Sequence, residues 1–197
     1  EIHGTANLPT YDPLLIDLDG DGIKTLSLEQ GFEFDTSGSG FAHSTGWVGE
    51  GDGILAYDVN GTGFIDDGRQ LFGTSMNLRG GGHAQNGYEA LSQFDSNNDG
   101  KINSQDLEYG KIGVLEADGS YLSLSEIGIS SISLDSTPTS AAPVSGNQEV
   151  SRSVFTWSNG TTGLIADYDL ASNTIVSMST ASIEIDESIL ALPDAVG

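Results

Sequence analysis

Leu14, Leu15 and Ile16 form an apolar run directly after Pro13, and this run predicts the first strand. From Asp17 to about Asp118 the apolar positions are short and separated by Gly and Asp. Two exceptions are a strand-like piece from Ile54 to Val59 and a helical piece from Tyr88 to Phe94, where Tyr88, Leu91 and Phe94 share one face. From Ile127 the pattern turns to β: Ile127, Ile129, Ile132 and Leu134 precede Val154 to Ser158, and Leu164 to Leu170 follows. Asn159-Gly160 lies between the last two runs and predicts a hairpin. Ser136 to Asn147 is rich in Ser, Thr, Pro and Ala without period and reads as an exposed loop. The predicted class is α+β, a β-rich single domain with short helices and EF-hand-like calcium loops. Its expected bounds are a linker over 1–12, an ordered domain over 13–177 and a C-terminal extension or next segment over 178–197.

Charge changes this picture most. The chain of 197 residues has 6 basic and 29 acidic residues, a formal net charge of −23. Nucleic acid and anionic membranes bind proteins through Lys/Arg clusters that are missing here, so neither is an expected partner. Like charge concentrated in Gly/Asn/Asp loops opposes compaction, and bound cations would relieve it. There is no cysteine, so no disulfide or thiolate metal site supports the fold. No apolar run reaches the roughly 20 residues of a membrane span, and Glu1 to Thr10 lacks a basic-then-apolar signal pattern. We therefore expect a piece of a longer protein, secreted or held at a bacterial surface.

The acidic loops have a recognisable order. Asp95, Asn97, Asp99, Asn103 and Asp106 place oxygen side chains at positions 1, 3, 5, 9 and 12 of an EF-type loop. Gly100 stands at the turn, the Lys101 carbonyl completes the ring, and Ser104 is expected to cap an outgoing helix. A second loop offers Asp58, Asn60, Thr62, the Phe64 carbonyl, Asp66 and Asp67, with Gln70 near its far end. A third has Asp17, Asp19 and Asp21 followed by Gly22, with Asp35 or Asp52 as candidates for its missing ligands. A hard cation that takes six to eight oxygens fits such loops, which points to Ca²⁺. Asp35 to Gly40 and Glu116 to Ser120 read as eroded versions and as structural turns. His3, His43 and His83 form no ligand spacing and read as surface residues.

Asp12-Pro13 is the only Asp-Pro pair in the chain and lies just before the Asp17 loop. An Asp carboxylate can attack its own carbonyl carbon through a five-membered ring, giving an anhydride while the basic proline nitrogen leaves. Calcium at Asp17, Asp19 and Asp21 would hold the bond in attack geometry, and Tyr11 is a candidate donor of the leaving-group proton.

Several strings carry a family resemblance: Tyr11-Asp12-Pro13-Leu14, Ile16 to Gly22, Thr45-Gly46-Trp47-Val48-Gly49, Asp66-Asp67-Gly68, Leu71-Phe72-Gly73, and Leu91 with Asp95 to Ile102. Over roughly Tyr11 to Leu170 the chain resembles the self-processing module of FrpC-type iron-regulated RTX proteins, exported by type I secretion. That resemblance implies a single-turnover, Ca²⁺-triggered cleavage after Asp12 and joining of the freed carboxyl to a lysine amine. Lys24, Lys101 and Lys111 are the only lysines here, so a lysine-bearing acceptor protein is an expected partner. The chain departs from the family pattern at Gln70, at Ser37 and Ser39, and around Asp118. Two other readings stay open: a non-catalytic, calcium-rigidified adhesin module, and a dockerin-like interaction module built on Asp95 to Asp106.

Overall fold

The computed structural model describes residues 10–173 and the backbone of the strand Met178–Ser179. Most of the expected linker and of the C-terminal extension lies outside these residues. In chain order the elements are β1 (Thr10–Tyr11), β2 (Leu14–Asp17), β3 (Thr25–Leu26), β4 (Phe32–Phe34), β5 (Phe41–Thr45), β6 (Trp47–Val48) and β7 (Asp52–Tyr57). Helix α1 (Gly87–Ser92) and β8 (Lys101–Asn103) follow, then β9 (Ile112–Glu116), β10 (Tyr121–Ser123), α2 (Leu124–Ile127), β11 (Ile129–Ser133) and β12 (Thr137–Pro138). The chain continues through β13 (Gln148–Trp157), β14 (Thr162–Ala171) and β15 (Met178–Ser179).

A ten-stranded antiparallel sheet dominates, in the order β10-β9-β7-β2-β14-β13-β11-β8, with β1 added to β14 and β12 to β13. It curls into a half-barrel. The expected α+β class is therefore wrong: the structure is 41% strand and 10% helix, and α1 and α2 have six and four residues. The Tyr88 pattern does make a helix, α1, capped by the Asn86 side chain, but it stops at Ser92. No helix follows the Asp95 loop. Leu107 is 90% exposed, so residues 104–111 have no apolar stripe to bury, and the chain forms only a 3-10 turn at Tyr109–Lys111. The loop is thus not an EF-hand, and Ser104 caps no helix.

β2 sits between β7 and β14, and its four residues are all buried. Leu14 and Ile16 face a core shared with Leu55, Phe72, Tyr88 and Leu91, while Leu15 faces a second core with Tyr11, Trp47, Val48 and Ile54. Cover on both faces explains the unbroken apolar run. Each large side chain so buried contributes about 1.5–3 kcal/mol. The hairpin expected at Asn159-Gly160 joins β13 to β14, with Gly160 at φ 86°.

Candidate functional site

The Asp12-Pro13 bond lies in the sheet, between β1 and β2, and not in a free linker. Four contacts hold it. Tyr11 pairs with Leu170, the Asp12 Oδ1 accepts from the Thr74 N–H at 2.7 Å, the Pro13 carbonyl accepts from the Tyr168 N–H at 3.2 Å, and the Leu14 N–H donates to the Phe72 carbonyl at 3.0 Å. Gly73 lies against the Asp12 carbonyl: a Cβ there would stand 2.5 Å from its oxygen and 3.0 Å from its carbon. This glycine is needed for close approach, not for an unusual φ. Burial raises the Asp12 carboxyl above its ordinary value, against the lowering effect of Thr74.

Tyr11 does not face this bond. Its hydroxyl donates to the Gly46 carbonyl at 3.2 Å within the second core, and burial pushes its pKa up. A phenol held there is a poor proton source for Pro13. Gly73 and Thr74, by contrast, carry no spacing or motif chemistry that marks them as site residues in the sequence. The Leu71-Phe72-Gly73 string was their only signal.

At the far end of β2 the first acidic loop begins. Asp17 braces it, Oδ1 accepting from the Gly20 N–H at 2.7 Å and Oδ2 from the Gly22 N–H at 3.0 Å. The same device recurs three times. Asp35 accepts from Ser39 and Gly40, Asp58 from Thr62 and Gly63, and Asp95 from Asp99 and Gly100. In all four loops the sixth residue is a glycine at positive φ, from 74° to 98°. The Asp35 segment thus shares the fold of the others.

Asp17, Asp19 and Asp21 bring carboxylate oxygens within 4.8 Å of one another. Asp52 joins them, being paired with Asp17 across β2 and β7. Its Oδ2 accepts from the Lys24 N–H at 2.8 Å, while its buried Oδ1 has no partner. Burial first, then the charges of Asp17 and Asp19, push Asp52 up to about 6. The Lys24 ammonium stands 3.0 Å from Asp19 Oδ2 and 2.7 Å from Asp21 Oδ1, as the chain's own cation at this cluster. Glu116 and Asp118 line the adjoining cleft with Asp19, Glu50 and Asp52, so the second eroded segment lies beside this cluster. An all-oxygen set with an orphaned carboxylate oxygen fits a hard divalent cation. Asp35 lies elsewhere, near Asp67 and Arg69.

The other ligand sets are only partly assembled. Asp95, Asn97, Asp99 and Asn103 converge, with the Asn97 and Asn103 amides both donating to Asp99 Oδ2, at 3.2 and 3.3 Å. Lys101, exposed, lies on β8, which pairs with β11. Asp106 spends both oxygens on the loop's own backbone, accepting from the Ser96 and Asn103 N–H groups at 2.8 and 2.9 Å. In the second loop Asn60 and Thr62 follow Asp58, but the Phe64 carbonyl takes the Gln70 amide at 3.4 Å and the Gln70 oxygen accepts from the Asp66 N–H at 2.7 Å. Asp67 turns away to Arg69, at 2.6 Å.

Among the described residues no helix is long and apolar enough to cross a membrane. Residues 14–171 match the SPM domain family, a match that begins just after the Asp12-Pro13 bond. The chain is also 37% identical over 185 residues to the iron-regulated protein FrpA of Neisseria meningitidis serogroup C. That alignment covers 89% of this chain but 17% of the relative.

Proposed function

This chain belongs to the SPM domain family, and from that premise we propose that it is a calcium-triggered self-processing module that cleaves its own Asp12-Pro13 bond. The observation that carries the reading is the setting of that bond: it is built into the sheet, with the Asp12 carboxyl held by Thr74 and its carbonyl pressed on Gly73. In the reaction the Asp12 carboxylate bonds to its own carbonyl carbon, the carbon–nitrogen bond breaks, and the Pro13 nitrogen takes a proton. Water opens the resulting anhydride and leaves a free Asp12 carboxyl terminus. A lysine amine on an acceptor protein would give an isopeptide bond instead, losing a proton as it joins.

Asp17, Asp19, Asp21 and Asp52 would hold one calcium ion and the Asp95 loop another. Bound there, calcium would neutralise these carboxylates and fix the loop, and so order β2 and its Pro13 end. The residues of the chain do the rest: Thr74 orients the attacking carboxyl, Tyr168 and Phe72 fix the leaving side, and the buried setting limits water. A secreted or surface-bound parent protein would meet the calcium this reaction needs.

The test is to add millimolar Ca²⁺ to the purified chain and follow masses, with EDTA and Asp12→Ala as controls. Release of residues 1–12 and a new Pro13 terminus, both lost in the controls, are expected. An intact chain in calcium would leave the calcium-rigidified structural module as the reading.

A further inference from the structure

The segments on either side of the Asp12-Pro13 bond pair with β14 in one register, Tyr11 opposite Leu170 and Leu14 opposite Asp167. Carried across the bond, that register sets Asp12 opposite Asp169 and Pro13 opposite Tyr168. Side chains alternate along strands, so Asp12, Leu14, Asp167 and Asp169 share one face, away from Tyr11 and Tyr168. Three carboxyls therefore gather around one bond.

Asp167 is the unusual member. It is 1% exposed, its Oδ2 accepts only a long 3.3 Å bond from the Gly87 N–H, and its buried Oδ1 has no partner. The charges it feels are those of Asp12 and Asp169, and among the described residues no cation offsets them. Tyr88 on α1 feels Asp167 in turn, but its hydroxyl is committed to the Ile165 carbonyl at 3.0 Å. A carboxyl with an unpartnered oxygen, among other carboxyls and out of water, is best accommodated with its proton on.

Resting on the self-processing reading, we infer that Asp167 is the proton donor of the cleavage: it stays neutral beside an ionised Asp12 and gives its proton to the Pro13 nitrogen as the bond breaks. The Asp12 carboxylate forms the new carbon–oxygen bond, the pair from the broken carbon–nitrogen bond goes to nitrogen, and that pair takes the Asp167 proton. Asp167, now a carboxylate, recovers a proton from the water or neutral lysine amine that opens the anhydride, each of which sheds one proton as its new bond to carbon forms. Burial, and then the charge of Asp12, push Asp167 up to about 8 against only the long 3.3 Å bond from the Gly87 N–H, whereas the Thr74 N–H opposes the rise at Asp12 from 2.7 Å. Asp12 thus ionises first, as the division of roles requires.

The test measures the cleavage rate against pH, at saturating Ca²⁺, for the wild-type chain, Asp167→Asn, Asp167→Glu and Asp12→Ala, with circular dichroism on each. A positioned acid of this kind is worth about 10²–10⁴ in rate. We expect Asp167→Asn to slow cleavage at least about 100-fold with its fold intact, and Asp167→Glu to restore part of the rate. The wild-type rate should fall about tenfold per pH unit above about pH 8, a limb absent from Asp167→Asn. Asp167→Asn cleaving within about threefold of wild type with the same profile would overturn the inference. So would a wild-type rate that stays level to about pH 9.5, a result that decides the matter even if the Asp167→Asn variant does not fold. A wild-type chain as inert as Asp12→Ala at every pH sinks the self-processing reading itself, and the two failures are thereby told apart.

Discussion

Replacing Asp167 by Asn should weaken the reaction yet stabilise the fold at alkaline pH. The folded-state pKa of Asp167 lies at about 8 against an ordinary 3.8, raised chiefly by burial. Between those values the folded chain holds a proton that the unfolded chain has released, so stability falls as pH rises. The slope is about 1.4 kcal/mol per pH unit for one such group, so Asp167 alone costs about 3–4 kcal/mol between about pH 5 and about pH 8. Asn keeps the shape and the hydrogen bond to Gly87 but has nothing to ionise.

The assay compares urea unfolding of the chain with Asp167 intact and of the Asp167→Asn variant at both pH values, each carrying Pro13→Ala so that both keep the Asp12 carboxyl while the ready leaving group is gone. Asp52, also raised by burial, is common to both chains and cancels in the difference, while the charges of Asp12 and Asp169 enter through the raised value of Asp167 itself. The stability difference should move by about 3–4 kcal/mol toward the Asp167→Asn variant from about pH 5 to about pH 8. A difference constant within about 1 kcal/mol would show that Asp167 is ionised in the fold, and the account of its proton would be refuted. A residue kept only for structure would behave in the opposite sense, losing stability when replaced.

Two further outcomes follow from the geometry. Gly73→Ala puts a methyl 2.5 Å from the Asp12 carbonyl oxygen, so the backbone must shift. Cleavage, read by mass, should fall at least about 100-fold, and the melting temperature should drop by an amount matching about 1–3 kcal/mol of overpacking. Calcium at about 100 times its dissociation constant should stabilise the chain by about 2.7 kcal/mol per filled site. That corresponds to a rise of about 5–10 °C in a calorimetric melt for a chain of this size, reversed by EDTA.

Much of the site was legible because the acidic loops are local. Their oxygen side chains are spaced by the loop itself, and Asp17, Asp58 and Asp95 all brace the backbone a few residues on. The fold class was not, because helix length depends on an apolar stripe, and in residues 104–111 Tyr109 is buried while Leu107 is exposed. Thr74 contacts Asp12 from 62 residues away, and no periodicity announces such a contact. Asp167 was hidden differently. In Leu164 to Leu170 it alternates with apolar residues like a solvent-facing position, and only the packing of Gly87 against that face makes it buried.

The distance between loop and bond shows how a cation could act without touching the chemistry. From Pro13 to Asp17 an extended chain covers about 13 Å, too far for direct polarisation of the Asp12 carbonyl. Fixing a residue's backbone costs about 1–2 kcal/mol, so holding Asp12 to Asp17 in line costs several kcal/mol that packing and ladders must offset. Asp17 belongs to both devices: it pairs with Asp52 in the sheet and braces the first loop with its carboxylate. Ordering the loop therefore removes freedom from the far end of β2. The ladders to β7 and β14 carry that restraint to Pro13. On the proposed reading, calcium dependence would reflect how often Asp12 sits in attack geometry, so a pH limb set by Asp167 should keep its position while calcium changes the height of the profile.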